Sequence, residues 1–392
     1  MNTPVIVDAI RSPMARAKPD GALAQLHPVD LLSQVLEQLV QRNRIDPGAV
    51  DDVITGCVSQ AGEQAGTPGR LAWLAAGLPA HVPSTTIDRK CGSSQQAVHF
   101  AVQAIMSGTQ DIVIACGVES MSRVPMGSSR MGQSTTGARF DARFAPGLVG
   151  QGISADLVAA RWGLGREELD AYAARSHQHA HAAQSEGRFA REIVGITTPA
   201  GRVAADETIR PGTSVEKLAT LKAVFQNEEL SARFPQIRWH TTAGNASQMT
   251  DGAGAMLLMS EQRARQLGLR PRARFVALDV VGDDPLYMLT APIPATRRVL
   301  AKAGMQLDQI AHYEINEAFA SVPLAWQKEL GADPERLNPR GGAIALGHPL
   351  GASGIRLMTT MLHALEDSGG RYGLQSMCEA GGMANATIIE RL

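Results

Sequence analysis

The chain has 392 residues, room for two to three domains of ordinary size, and 44% of them are hydrophobic, so general disorder is excluded. Lys and Arg total 37 against 38 Asp and Glu, and a net charge of −1 carries neither a nucleic-acid footprint nor a polybasic membrane surface. Aromatic residues are only 4%, and no apolar run approaches the ~18 residues of a membrane span, so the core must be built from Ala, Val, Leu, Ile and Met with no transmembrane helix.

The first residues run into a strand-like segment, Val5 to Ala9, with neither a secretory nor a transit-peptide pattern. After Pro28, which suits a helix's first turn, Leu31, Leu32, Val35, Leu36, Leu39 and Val40 recur at helical spacing. A strand is expected over 51–58, a short helix over 68–79 stopped by Gly77 and Pro79, and a strand over 84–88. Residues 95–106 are apolar on nearly every side, as a buried central helix requires, and 111–118 form a continuous apolar strand of parallel-sheet type.

The last third repeats this plan. A helix (295–303), a strand (311–315) and a helix from Glu317 to Leu330 lead to a Gly-rich stretch, 338–354. A helix (355–366) and strands at 372–377 and 385–390 close the chain. The comparable spacings predict a duplicated βα unit whose halves pack together. The middle, roughly 119–249, breaks the rhythm. A segment this long between two α/β halves reads as a binding excursion rather than a linker.

Four cysteines, Cys57, Cys91, Cys116 and Cys378, make no disulfide framework, so the expected setting is a reducing, cytoplasmic one. Cys57 and Cys116 lie in apolar runs and read as core. Cys91, in DRKCGSSQQA, stands at the start of the predicted central helix, where the helix N-terminus and nearby Arg89 and Lys90 are expected to lower the thiol's pKa. His348 sits in a loop whose glycines allow close approach to a ligand. Cys378 and Asn316 each follow an apolar strand, at the sheet edge where open α/β folds bind ligands. His177, His179 and His181 invite a metal reading. On a helix, though, only His177 and His181 share a face, and no carboxylate or thiol pattern accompanies them, so a solvated helix and no metal are expected. Isolated glycine pairs lack the strand–GxGxxG–helix context of a dinucleotide site.

Seven segments in order give the chain a resemblance over essentially its full length: VIVDAIRSP, DRKCGSSQQA, GVESMSRVPM, GNASQMTDGA, NEAFA, NPRGGAIALGHPLGASG and MCEAGGMANATIIE. Together they resemble the thiolase family, of the degradative 3-ketoacyl-CoA type. The GSSQQ run after Cys91 is similar to actinobacterial members linked to sterol or branched-chain breakdown. The resemblance implies an α/β fold of five layers, α-β-α-β-α, in two duplicated halves: 1–118 completed by 250–270, and 271–392. A loop domain at 119–249 would bind coenzyme A.

The implied reaction is reversible cleavage of a 3-oxoacyl-CoA through a Cys91 acyl-enzyme. No cofactor would be held permanently, and coenzyme A would be the co-substrate. In this reading His348 takes the Cys91 proton, Cys378 is the general acid and base, and Asn316 positions a water at the thioester oxygen. The backbone N–H groups of Cys91 and Ala380 would form a second oxyanion hole. Ser247, Phe225 and Phe319 match positions that contact coenzyme A.

Two positions depart from the common pattern. Ala380 stands where many members have glycine, and a left-handed glycine conformation would not suit alanine. Gln151 stands where short-chain biosynthetic members carry Met, which weighs against an acetoacetyl-CoA-forming enzyme. A Cys/His/Asn hydrolase is the remote alternative. The resemblance implies a homodimer or homotetramer and association with a multienzyme β-oxidation partner.

Overall fold

The computed structural model describes residues 2–392 and contains one ten-stranded mixed sheet beside a small two-stranded one. The main path runs His312–Ile315, Tyr372–Glu379, Met383–Arg391, Ala273–Gly282, Pro4–Arg11, Thr250–Ser260, Ile112–Ser120, Asp52–Gly56, Ser84–Ile87. Its two halves join through a short antiparallel pairing of Val5 with Arg274 and Ile6 with Ala273. The strand over Ile112–Ser120 is parallel to Asp52–Gly56 but antiparallel to Thr250–Ser260, so the sheet is not the purely parallel one expected of an apolar run.

The layers follow from which side chains face which way. On one outer face Val5, Val7 and Ile10 pack with Leu32, Leu36 and Leu39 of the helix Pro28–Asn43. On the inner face Ile6 and Ala9 pack with Val98 and Val102 of the helix Ser93–Ser107 and with Ile355 and Met358 of the helix Ser353–Ser368. Across those two helices lies the second half, whose outer face (Leu374, Ala386, Ile388) packs with Val299 of Pro292–Ala303 and Trp326 of Ser321–Leu330. The five layers are therefore helix, sheet, paired central helices, sheet, helix.

The central helices meet at their first turns. A Cβ on Gly354 would overlap the backbone of Gln95, and Ser94 Oγ accepts from the Ile355 N–H at 3.0 Å. Glycine is needed there for the close approach. The residues just before each helix, Cys91 and His348, are thereby carried to the same end of the central layer.

Two further sequence expectations change. The helix begins at Ser321, not Glu317. The Glu317 carboxylate is buried and accepts from Tyr172 Oη at 3.0 Å, Ser176 Oγ at 2.7 Å, Asn338 Nδ2 at 3.0 Å and the Ile344 N–H at 3.1 Å, which holds its residue in the segment between strand and helix. The helix Arg166–Ser185 is not a freely solvated one either. His177 is buried on it and accepts from the Arg210 N–H at 3.1 Å, and burial lowers its pKa to about 4. Among the described residues no group of three or more His, Cys, Asp or Glu is placed to hold a metal ion, and no helix is long and apolar enough to cross a membrane.

Candidate active site

Cys91 follows a tight turn. Lys90 is left-handed (φ +48°), its N–H donates to Asp88 Oδ1 at 2.7 Å and its carbonyl accepts from Ser93 Oγ at 2.6 Å. The thiol lies at the foot of a cavity of about 450 Å³ whose wall also includes Lys90, Arg130, Gln151, Met288 and Ala380. The expected lowering of the thiol pKa is overturned. Burial, with Glu379 beside it, pushes the Cys91 thiol up to about 12, while the Gln151 amide works in the opposite direction. A buried thiol loses more from dehydration of its thiolate than a helix N-terminus returns.

His348 is buried and burial, with Arg356 nearby, lowers its pKa to about 3, so the ring is neutral. Its backbone N–H is held by the Gln248 carbonyl at 3.0 Å and Thr250 Oγ1 at 3.1 Å. Nδ1 lies 2.6 Å from Ser353 Oγ, and that hydroxyl donates its only proton to the Pro349 carbonyl at 2.9 Å. Nδ1 must therefore carry the proton, leaving Nε2 as the ring's basic atom. Asn316 Nδ2 donates toward Nε2 across 3.4 Å.

Cys378 is fully buried at the end of the strand Tyr372–Glu379. Its thiol pKa is raised well above the ordinary value by burial and by Cys91 and Glu379. The turn that follows answers the question posed by Ala380. The left-handed residues are Gly381 (φ +93°) and Gly382 (φ +78°), while Ala380 keeps an ordinary conformation and lines the Cys91 cavity.

The candidate coenzyme A residues also come together. Phe225 and Phe319 pack edge to face with centroids 6.4 Å apart, and the Ser247 N–H donates to the carbonyl of Ala318, next to Phe319. Phe225 lies so close over Gly152 that a Cβ there would overlap its ring. Cys57 and Cys116 are buried core thiols; Cys116 Sγ lies 3.1 Å from Thr55 Oγ1.

Sequence reasoning missed several supports of the site. Ser353 orients His348, although it stands in the same Gly-rich segment. Glu119 accepts from the N–H groups of Val58, Ser59 and Gly351 at 2.8–3.0 Å and so ties the Cys91 cavity wall to the loop after His348. Long-range partners of this kind leave no local pattern.

Comparisons with known proteins agree with this geometry. Residues 4–262 match the thiolase N-terminal domain and residues 269–391 the thiolase C-terminal domain. The steroid 3-ketoacyl-CoA thiolase FadA6 of Mycobacterium tuberculosis is 48% identical, over 100% of this chain and 95% of that protein. A β-ketoadipyl-CoA thiolase of Acinetobacter baylyi is 44% identical over 99% of both chains, and a 3-ketoacyl-CoA thiolase of Pseudoalteromonas translucida is 43% identical over all of both. The crystal structure of a Bacillus anthracis acetyl-CoA acetyltransferase superposes with a TM-score of 0.89 at 37% identity, covering 100% of this chain and 99% of that one.

Proposed function

Because this chain belongs to the thiolase family and is a CoA-dependent acyltransferase that cleaves 3-oxoacyl-CoA thioesters, we propose that Cys91, His348, Cys378 and Asn316 carry the reaction. The observation that supports this most is the meeting of the two central helices at Gly354 and Gln95, which brings the Cys91 and His348 loops to one end of the fold.

His348 Nε2 takes the Cys91 proton, and the thiolate attacks the 3-keto carbon. The developing oxyanion is held by the Cys91 and Ala380 N–H groups, the backbone arrangement that Ala380's ordinary conformation allows. The C2–C3 bond then breaks, and the Cys378 thiol protonates the departing acetyl-CoA carbanion, whose thioester oxygen is held from the His348 and Asn316 side. In the second half the Cys378 thiolate removes the proton of an incoming CoA thiol. That thiol attacks the acyl-Cys91 thioester, and Cys91 leaves with the proton from His348. Cysteine suits this role because its thiolate is both a soft nucleophile and a good leaving group.

Residues 119–249 form the loop domain that receives coenzyme A in this reading, with Phe225, Phe319 and Ser247 along the pantetheine arm. The 1–118 (with 250–270) and 271–392 halves supply the catalytic loops. We also propose that the protein assembles as a homo-oligomer. The strand Ser84–Ile87 leaves one edge of the sheet unpaired, and Leu71, Leu74 and Phe100 are exposed apolar residues of the helices nearest it in sequence.

The test is mass spectrometry of the intact protein and of its proteolytic digest after mixing with a 3-oxoacyl-CoA and no free CoA. An acyl adduct on a peptide containing Cys91, absent in Cys91→Ala, is expected; full turnover by Cys91→Ala would overturn the assignment.

A further inference from the structure

Glu317 follows Asn316 directly, is 1% exposed, and does not line the cavity above Cys91, so the reaction leaves this carboxylate unused. Its two oxygens divide their partners. Oε1 accepts from Tyr172 Oη and Asn338 Nδ2, and Oε2 accepts from Ser176 Oγ and the Ile344 N–H. Asn338 also clamps the residue before Asn316. Its Oδ1 accepts from the Ile315 N–H at 2.9 Å, and its Nδ2 donates to the Ile315 carbonyl at 2.8 Å. Ile344 lies in the short helix Ala343–Leu346, which ends two residues before His348. The backbone of Gly342, ahead of that helix, passes so close that a Cβ there would overlap the Glu317 carboxyl, and its N–H donates to Ser176 Oγ at 3.1 Å. One carboxylate therefore braces both the segment that carries Asn316 and the segment that delivers His348.

The pair so braced has no other means of keeping its spacing. Asn316 Nδ2 meets His348 Nε2 across 3.4 Å, and Asn316 Oδ1 is buried without a partner. The side chain thus goes where its backbone puts it, and that backbone is held by the Asn316 N–H donating to the Ser376 carbonyl at 3.0 Å and by its two flanking residues. All four partners of Glu317 are donors, which only an acceptor-only carboxylate can satisfy together. A glutamine amide nitrogen on one side would face the Ile344 N–H, which cannot turn. On the other side it would face Asn338 Nδ2, whose amide is fixed by Ile315.

We propose that Glu317 is a positioning residue that sets Asn316 and His348 in the geometry that holds the thioester oxygen of the departing acetyl-CoA. This rests on the assignment of Asn316 and His348 to that oxygen. Because Tyr172 and Ser176 belong to the helix Arg166–Ser185, the pair is also tied to the 119–249 segment. The carboxylate itself moves no proton.

The experiment measures two rates on each of the wild type, Glu317→Gln and Tyr172→Phe. One is cleavage of 3-oxohexanoyl-CoA with CoA; the other is acylation of Cys91 by hexanoyl-CoA, which forms no carbanion. Glu317→Gln is expected to lower cleavage about a hundredfold and acylation about tenfold or less, so the ratio of the two falls at least about tenfold. Tyr172→Phe leaves the carboxylate and three donors, and should move the ratio the same way by about threefold. The ratio is internal to each variant, so a loss of folded protein cannot mimic the effect. In an Asn316→Ala background Glu317→Gln should change the ratio by no more than about threefold, because the side chain it places is gone. Equal losses in both rates, or the full shift persisting in the Asn316→Ala background, would make Glu317 a core acid and overturn the proposal. A wild-type ratio in Asn316→Ala itself would overturn the Asn316 assignment beneath it, and the proposal with it.

Discussion

The carboxyl of Glu379 lies against the α-carbon of Gly92, one residue beyond Cys91, so closely that a methyl group on Gly92 would overlap Oε1. Both Glu379 oxygens are buried without a side-chain partner, and burial raises the carboxyl to about 8 in spite of Arg89 nearby. Glu379 is therefore mostly neutral at pH 7, and the negative charge that would oppose a Cys91 thiolate is largely withheld.

A folded-state pKa raised from 4.5 to about 8 has a stability consequence of definite sign. The folded state holds the proton that the unfolded state releases. Stability is thus greatest below the ordinary carboxylate range and falls as pH rises toward about 8. Glu379→Gln removes this dependence. Denaturant titrations at pH 5 and pH 8 should show the difference between wild type and variant moving in the variant's favour, on the order of a few kcal/mol. A difference independent of pH would show that Glu379 titrates normally.

With the Cys91 thiol pushed up to about 12, only a trace of thiolate exists at neutral pH. Iodoacetamide labelling of Cys91 in the free enzyme is expected to be slow at pH 7 and to accelerate about tenfold per pH unit up to pH 10. A labelling rate that is already flat from pH 7 would mean that the thiolate is preformed, as the helix N-terminus alone would suggest.

Ser353 fixes which nitrogen of His348 is basic. Ser353→Ala removes the acceptor for Nδ1–H and lets the ring reach the wrong tautomer. We expect kcat to fall about tenfold to a hundredfold with little change in KM for CoA. Because burial lowers the His348 pKa to about 3, the acid limb of the wild-type profile should show no histidine-like inflection near pH 6.5 from this residue in the free enzyme. An unchanged kcat in Ser353→Ala would reduce the pair to packing.

Cys378→Ala separates the two half-reactions. Acylation of Cys91 by a simple acyl-CoA, which needs no carbon acid, should persist, while cleavage of 3-oxoacyl-CoA falls by at least about a thousandfold. Normal cleavage by this variant would make Cys378 structural.

Gly152→Ala tests the coenzyme A side. The new methyl group must displace Phe225 from its packing against the helix start and from Phe319. KM for CoA should rise about threefold to thirtyfold while saturated kcat changes less. An effect confined to kcat would place Phe225 outside the coenzyme A path.

The sequence alone determined the strands and helices with strong periodicity, Pro28–Asn43 and Ser93–Ser107 among them, and the order of motifs that marks the family. Those signals are local: apolar spacing, caps and short runs of residues. It also singled out Cys91, His348, Cys378 and Asn316, because their loops have distinctive neighbours. The tertiary structure decided the rest. Whether the thiol of Cys91 is acidic depends on burial and on Glu379, which is 288 residues away in the chain. Glu317 ends up ahead of the helix rather than in it because four partners from other segments reach its carboxylate. The tautomer of His348 follows from where the Ser353 proton goes. Ala380 is tolerated because the left-handed geometry falls on Gly381 and Gly382. Each of these outcomes is set by desolvation and long-range hydrogen bonds, which exist only once the layers have packed.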